Sequence, residues 1–218
     1  MQAILDFLKA LYSEEGLRNL ITAGGYFGLI GIVFAETGLL VGFFLPGDSL
    51  LVTAGIFTTP EAVGGQLFDF TTLFVALMIA AILGDQLNYG IGRKTGEAVY
   101  SRPDSRFIKR KHFEQARDFY QEYGASAIVI ARFVPILRTF VPFIAGVAQM
   151  PYRRFVTYNI VGGVSWVGSM LGLGHFIGQT PLASDLKRVI LVVVFVSLIP
   201  LMIGAFKQWR RTRTTKQA

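Results

Sequence analysis

The sequence contains no cysteine and only two histidines, His112 and His175. Without cysteine the chain has no disulfide framework, no thiolate zinc site and no thiol nucleophile. The two histidines stand too far apart in sequence to suggest a metal cluster, so we expect neither a metal ion nor a cofactor. Charged residues are also scarce, at 16% of 218 residues, while hydrophobic residues make up 52%. This balance excludes an ordinary soluble protein and predicts an integral membrane protein.

The net charge of +7 is concentrated in short basic segments next to apolar runs. Membrane topology and the binding of anionic lipid headgroups explain such segments better than a nucleic-acid partner does. Residues 1–20 place apolar side chains at helical spacing with charges between them, which predicts an amphipathic surface helix or a plain helical lead-in. They contain no apolar core ending in a small-residue cleavage site, so we expect no cleavable signal peptide.

Two apolar segments are interrupted in a way that a straight membrane span does not allow. The first broken segment, from Glu36 to Gly55, reads ETGLLVGFFLPGDSLLVTAG. The second broken segment, residues 124–150, contains two arginines and two prolines: Arg132, Pro135, Arg138 and Pro142. Proline ends a regular helix, and irregular backbone with charges is stable at membrane depth only inside protein or beside a water-filled cavity. We interpret both segments as re-entrant helical hairpins.

We expect an all-α membrane protein with about four transmembrane helices, forming a single domain over residues 1–218. Its predicted parts are the amphipathic helix (1–20), a first span with its re-entrant hairpin (21–58), a span (71–92), a basic cytoplasmic segment (93–123), a second re-entrant hairpin (124–150), two spans (155–178 and 186–206) and a basic cytoplasmic tail (207–218). The positive-inside rule places both termini in the cytoplasm and makes the hairpins enter from opposite faces. Such inverted repeats carry their substrate site at the repeat interface.

The two predicted repeats also echo each other weakly in sequence. The first hairpin runs from LP to AG over residues 45–55, and the second runs from VP to AG over residues 134–146. A glycine-rich span follows each hairpin, with YGIG at residues 89–92 and HFIG at residues 175–178. Together with the topology, this echo supports an inverted repeat.

The broken segments carry opposite charges. We expect Glu36 and Asp48 of the first to face Arg132 and Arg138 of the second near the membrane midplane. Arginine offers a planar, permanently charged fork that suits phosphate oxygens, and a carboxylate in an apolar site can carry a proton. We therefore predict a phosphate-headgroup site on the two arginines and proton coupling through the two acids. The alternative is a pair of structural ion pairs, although buried pairs often add little net stability.

A polar group at the end of the span over residues 71–92 supplies candidate accessory residues: Asp85, Tyr89 and Arg93. Asp85 could be a third proton carrier, but we favour a polar cap beside Arg93 near the span end. Three other residues are expected to pack at interfaces rather than to bind a ligand: Asn159, Trp166 and His175.

These motifs resemble those of the DedA family of bacterial membrane proteins, which share a domain with eukaryotic lipid scramblases. The resemblance rests on ETGLLVGFFLPGDSLL from Glu36, GDQLNYGIGR from Gly84, YGASAIVIARFVPILRTFVPFIAG from Tyr123 and NIVGGVSW from Asn159. It implies two facing re-entrant hairpins in the cell inner membrane. By motif, the family's important acidic residues correspond to Glu36 and Asp48, and its important arginines to Arg132 and Arg138.

The resemblance implies that the chain moves undecaprenyl phosphate from the outer to the inner leaflet of the cytoplasmic membrane, in dependence on the proton-motive force. The expected partners are this lipid phosphate, protons and anionic membrane lipids. The glycine-rich spans permit a homo-oligomer without requiring one.

Other functions are open at this point. One alternative is a general phospholipid scramblase, and another is a structural membrane-homeostasis protein without transport activity. We do not expect an enzyme such as a membrane phosphatase, because Ser49 beside Asp48 is the only candidate nucleophile and neither hairpin contains a histidine. An antiporter of small ions or drugs would leave the two arginines without a role.

Overall fold

A computed structural model describes residues 14–40, 45, 47–60, 65–100, 124 and 126–181. Over these residues the chain is all helical and contains no strand, in agreement with the predicted fold class. The helices are α1 (Glu14–Gly38), α2 (Gly47–Ile56), α3 (Phe70–Tyr100), α4 (Ser126–Ala131), α5 (Pro135–Val147) and α6 (Tyr152–Gly178). Four predicted parts lie wholly or mostly outside the described residues: the helix at 1–20, the basic segment at 93–123, the span at 186–206 and the tail at 207–218.

Three of these helices are long and apolar enough to cross a membrane. The apolar lengths are Ile21–Gly38 in α1, Phe70–Gly96 in α3 and Tyr152–Gly178 in α6. A rise of 1.5 Å per residue carries even the shortest of them through roughly 27 Å, close to the hydrocarbon thickness of about 30 Å. They coincide with three predicted spans, although α3 continues as a helix beyond the predicted end at residue 92.

A break in α1 occurs at Gly25, where φ is 53° and ψ is −148°. Residues with a Cβ atom rarely adopt such angles, so this position favours glycine. Apart from the neighbouring backbone of the same helix, no atom of the described residues lies within 4 Å of a methyl group placed at Gly24, Gly25 or Gly31. The role of Gly25 is therefore conformational.

The start of α3 is capped by Asp69. Its Oδ1 accepts hydrogen bonds from the Thr72 hydroxyl at 2.7 Å and from the Thr72 N–H at 2.8 Å. These bonds hold the pKa of Asp69 below its usual value, since they favour the ionised carboxylate. The Asp69 N–H donates to the Tyr26 hydroxyl at 2.9 Å, which ties the start of α3 to α1.

The two broken segments form helices that are too short to cross a membrane. Helix α2 has 10 residues and α5 has 13, which correspond to about 15 Å and about 20 Å of rise. A turn at residues 132–134 separates α4 from α5. Pro135 then opens α5, at a position where a helix does not need its N–H group. The predicted interruption of the second segment is present, and the re-entrant path of both segments stays a prediction.

Each short helix packs against the long helix that follows the other broken segment. Helix α2 crosses α6 at Gly55 and Gly174, and α5 crosses α3 at Gly146 and Gly92. A methyl group on any of these glycines would overlap a backbone carbonyl of the facing helix, namely those of Leu171, Val52, Tyr89 and Phe143, respectively. The two crossings therefore require glycine, because it has no side chain.

A hydrogen bond lies beside each of these crossings. The Tyr89 hydroxyl donates to the Met150 carbonyl at 2.5 Å, beside the crossing of α3 and α5. His175 Nδ1 lies 2.6 Å from the Thr58 hydroxyl in a hydrogen bond, beside the crossing of α2 and α6. Tyr89 and His175 occupy the same place in the YGIG and HFIG echo. The echo in sequence thus has a counterpart in packing, as an inverted repeat would produce.

Helix α1 approaches α3 at Gly38 and Gly84. A methyl group on Gly38 would lie 3.2 Å from the Gly84 Cα atom, so the two backbones are nearly in contact. Glu36 lies two residues before Gly38, and Asp85 directly follows Gly84. Apolar side chains of α1, α2, α3 and α6 form a hydrophobic core.

Candidate functional site

The two broken segments converge on Arg138 of α5, which is 5% exposed. Its Nη1 donates to Asp48 Oδ1 at 2.5 Å, and its Nη2 donates to Glu36 Oε1. Asp48 lies in the first turn of α2, and Glu36 lies two residues before the end of α1. One guanidinium thus joins three helices. We call these three residues the Arg138 cluster, and the structure brings them together as the sequence predicts.

Gly47 explains why the carboxylate of Glu36 can lie where it does. A methyl group on Gly47 would overlap the Glu36 side-chain carboxylate. Glu36 is fully buried, so its carboxylate has little room to move away. The glycine of the LPGD sequence therefore makes space for the carboxylate that holds Arg138.

Replacement of Gly47 by alanine is expected to separate Glu36 from Arg138. The loss of packing and of the ion pair should lower the free energy of unfolding by about 1–3 kcal/mol, measured by denaturant unfolding in detergent micelles. In a Glu36→Ala background the same Gly47→Ala change should have almost no effect, because the carboxylate that it displaces is gone. Equal effects in both backgrounds would contradict this account of Gly47.

Arg132 forms a second cluster, in the turn between α4 and α5. Its Nη2 donates to Asp85 Oδ2 of α3 and, at 2.5 Å, to Asn159 Oδ1 of α6. The Asn159 amide also donates to the Ile82 carbonyl at 3.1 Å, which fixes the direction of its oxygen. Arg132, Asp85 and Asn159 are all buried. We call these three residues the Arg132 cluster.

The NIVGGVSW motif builds the pocket that holds Arg132. Its first residue, Asn159, binds the guanidinium. A methyl group on Gly162 would lie 2.9 Å from Arg132 Cδ, and one on Gly163 would lie 3.7 Å from Arg132 Nη2. The motif thus places an acceptor and an open helix face at one arginine. Its last residue, Trp166, contacts the other arginine, Arg138.

Trp166 lies between the two clusters and is fully buried. Its Nε1 donates to Asp48 Oδ1 at 2.9 Å. The centre of its ring lies 4.9 Å from Arg138 Cζ and 6.0 Å from Arg132 Cζ. Both distances are within the range of a cation–π contact. A single indole therefore touches both guanidiniums and one of the carboxylates.

Two predictions about these charges need correction. Arg132 was expected to face Glu36 and Asp48, but its ion pair is with Asp85. Asp85 was expected to be a polar cap beside Arg93 near a span end, but it lies in the middle of α3 and is 1% exposed. The reason is the length of α3: the helix continues well beyond residue 92, so Asp85 is far from either end and needs a buried cation.

The other accessory candidates are Tyr89 and Arg93. Tyr89 donates to the Met150 carbonyl and stacks on Phe155, with ring centres 4.3 Å apart. This contact belongs to the packing of α3 against its neighbours. Arg93 is exposed. The accessory role of both residues stays a prediction.

Sequence reasoning missed Asn88 and assigned Asn159 and Trp166 to packing alone. The Asn88 amide donates to the Thr139 carbonyl at 2.6 Å and to the Thr37 carbonyl at 3.2 Å. These carbonyls directly follow Glu36 and Arg138 in sequence, so Asn88 aligns the backbone on both sides of that ion pair. A signal was present, because an amide side chain within an apolar span needs buried partners.

Several buried polar atoms of this region have no hydrogen-bond partner among the described residues, including Glu36 Oε2, Asn88 Oδ1, Arg132 Nε and Thr139 Oγ1. Buried polar atoms are normally paired, and unpaired ones point to water or a ligand. The two clusters contain three carboxylates and two guanidiniums. Over the described residues, no group of three or more histidine or acidic side chains is placed to hold a metal ion. Guanidiniums are side chains that can bind anions, and carboxylates are side chains that can carry protons.

The chain is similar in sequence to known membrane proteins. The VTT domain profile matches residues 45–176. Protein DedA of Escherichia coli is 39% identical over 211 residues, covering 95% of this chain and 94% of that protein. An uncharacterized membrane protein of Mycobacterium tuberculosis is 41% identical over 217 residues, covering 99% and 93%. The inner membrane protein YqjA of Escherichia coli is 34% identical over 184 residues, covering 83% and 81%. No solved structure matches the chain.

Proposed function

The chain belongs to the VTT-domain (DedA) family of membrane proteins, and on that premise we propose that it translocates a lipid phosphate across the cytoplasmic membrane. The proposed substrate is undecaprenyl phosphate, whose return to the inner leaflet recycles a carrier lipid. Protons are the proposed coupling ion, through Glu36 and Asp48. The proposed membrane is the cell inner membrane, with both termini in the cytoplasm.

The observation that supports this proposal best is the double pairing of Arg138. Its guanidinium offers a planar set of N–H donors, and two of its nitrogens are bound to carboxylates from two different helices. Phosphate oxygens bind the same donors in the same geometry. We therefore take the carboxylates of Glu36 and Asp48 as occupants that a phosphate headgroup displaces. Protonation of either acid weakens its hold on Arg138 and opens the donors to the headgroup.

The surfaces of the helices suit a substrate with a long apolar tail. Large apolar side chains are exposed on several helices, such as Phe27 at 89%, Ile130 at 66% and Phe176 at 69%. In a membrane these side chains face lipid, where they have no energetic penalty. A lipid whose headgroup enters at the buried arginine clusters while its tail stays outside fits these apolar outer surfaces.

Lipid movement in proteoliposomes tests the proposal. Purified protein is reconstituted with labelled undecaprenyl phosphate or a labelled glycerophospholipid, with and without a pH gradient, and the label that crosses the bilayer is measured. We expect selective movement of the phosphate carrier, faster with a proton gradient, and loss of that movement in Glu36→Gln. Equal movement of both lipids would support a general scramblase. No movement of either, with folded protein, would contradict transport.

The same vesicles test for enzymatic activity. Ser49 is buried beside Asp48, and the described residues place no histidine near it. Phosphate release from undecaprenyl pyrophosphate by the purified protein would contradict the proposal that the chain is a transporter without catalysis. We expect release at the rate of protein-free vesicles.

A further inference from the structure

The structure separates the four residues of the predicted headgroup site into two clusters with different charge. Arg138 faces two carboxylates, Glu36 and Asp48. Arg132 faces one carboxylate, Asp85, and the neutral amide oxygen of Asn159. With all groups ionised, the Arg138 cluster carries a formal charge of −1 and the Arg132 cluster is neutral.

Each arginine is held by groups that imitate a bound anion. A carboxylate presents oxygens to guanidinium N–H groups much as a phosphate does. Glu36 Oε2 in the Arg138 cluster and Arg132 Nε in the Arg132 cluster are buried without a hydrogen-bond partner among the described residues. A donor left over on Arg132 is what an additional oxygen of a larger anion would bind. An acceptor left over on Glu36 is what a proton would occupy.

The position of Trp166 connects the clusters. Its ring contacts both guanidiniums, and its N–H group holds Asp48. Because both guanidiniums contact this one ring, an anion that leaves Arg138 is close to Arg132.

We propose that the protein contains two anion sites in series, one at Arg138 and one at Arg132, each occupied by its own carboxylates until a phosphate monoester displaces them. Asp85 is the internal competitor at the Arg132 site, and Asn159 is a positioning residue that holds the guanidinium without adding charge. The inference rests on the proposed function for its ligand class.

The two sites differ in their dependence on protons. A phosphate at Arg138 meets an excess negative charge unless Glu36 or Asp48 takes up a proton. A phosphate at Arg132 meets one carboxylate rather than two, so its binding there depends less on proton uptake. The charged groups that face these sites from the packed helices are the five already named: Glu36, Asp48, Asp85, Arg132 and Arg138.

The fluorescence of Trp166 can report anion binding at both arginines, because its ring contacts both guanidiniums. The chain has two tryptophans, so Trp209→Phe leaves Trp166 as the single tryptophan, which is excited selectively over tyrosine. This protein in detergent micelles is titrated with geranyl phosphate, a short isoprenyl phosphate, and separately with inorganic phosphate. We expect two saturable phases in the Trp166 fluorescence with geranyl phosphate, and one phase in each of Arg132→Gln and Arg138→Gln. Two phases with inorganic phosphate as well would assign recognition to the headgroup alone, and two phases with geranyl phosphate only would show that the tail contributes. Both results support two sites.

A pair of substitutions with opposite charge effects tests the Arg132 site without removing its arginine. Asp85→Asn removes the competing charge and keeps an acceptor oxygen, so it should tighten one phase about tenfold. Asn159→Asp adds a competing carboxylate and should weaken the same phase by about tenfold. A merely structural Arg132 cluster would change thermal stability in these variants and leave anion affinity unchanged. That result would overturn the proposal.

The pH dependence separates the two sites. In Arg132→Gln, where only the Arg138 site remains, affinity should fall with rising pH more steeply than in Arg138→Gln, by about tenfold per pH unit for one proton. The ionisation of the ligand is common to both variants and cancels in this comparison. Equal slopes, or a single phase in the parent protein, would overturn the inference. Two phases without any lipid movement in proteoliposomes would contradict only the proposed function, since the titration measures binding at equilibrium.

Discussion

Replacement of Arg138 by glutamine is expected to lower lipid-phosphate movement at least about a hundredfold and to destabilise the fold. The substitution leaves two carboxylates, Glu36 and Asp48, without their cation in a buried site. Removal of one partner of a buried ion pair costs about 3–5 kcal/mol of folding stability. Loss of two charge-assisted hydrogen bonds to the headgroup, at about 1.5 kcal/mol each, lowers its binding about a hundredfold. The rate is measured in proteoliposomes and the stability by denaturant unfolding in micelles.

The double variant Arg138→Gln with Glu36→Gln separates binding from stability. It removes one of the two unpaired carboxylates, so unfolding stability should recover in part, but no cation is restored for the phosphate and movement should stay lost. If Arg138 served only to hold the helices together, stability and movement would recover together. Arg154→Gln is the matched control, because Arg154 is exposed at the start of α6, and it should leave both measurements unchanged.

Alanine at Gly92 or Gly174 is expected to disrupt the packing of a short helix on its long partner. A methyl group at Gly92 would overlap the Phe143 carbonyl, and one at Gly174 would overlap the Val52 carbonyl. A backbone carbonyl cannot move aside as a side-chain end can, so the helices must separate. We expect each substitution to lower the free energy of unfolding by about 3 kcal/mol, measured by denaturant unfolding in micelles.

Each of these glycines has a control two residues earlier on the same helix. Nothing among the described residues lies within 4 Å of a methyl group on Gly90 or on Gly172. Alanine there should stabilise the helix by up to about 1 kcal/mol, because glycine has a low helix propensity. Similar effects at all four positions would show that the crossings do not require glycine, and would contradict the reciprocal packing described above.

The glycine crossings and the arginine clusters are structurally linked. The glycine crossings bring the short helices close enough to the long ones for Arg138 to reach α1 and α2, and for Arg132 to reach α3 and α6. A change at a crossing should therefore also weaken the arginine clusters, whereas a change in a cluster should leave the distant crossing intact.

Several properties of this protein follow from the sequence alone. Its membrane character follows from composition, since more than half of the chain is hydrophobic. The three described spans follow from the length of their apolar runs, and the interruption near Pro135 follows from proline's missing N–H group. Even the contact of Arg138 with Glu36 and Asp48 was predictable, because buried charges of opposite sign in a membrane have few other partners.

Only the tertiary structure decided that Arg132 binds Asp85 rather than Glu36 or Asp48. Asp85 and Arg132 are 47 residues apart in sequence, and their contact exists because α3 and α6 pass on either side of the turn that holds Arg132. For the same reason, the sequence did not reveal the hydrogen-bond partners of Asn88, Asn159 and Trp166. Periodicity shows which face of a helix is apolar, but a hydrogen bond depends on distances of about 3 Å that are set by how closely the helices cross. In this chain, glycines with no neighbours and glycines with a carbonyl against them look alike in sequence, and packing alone distinguishes them.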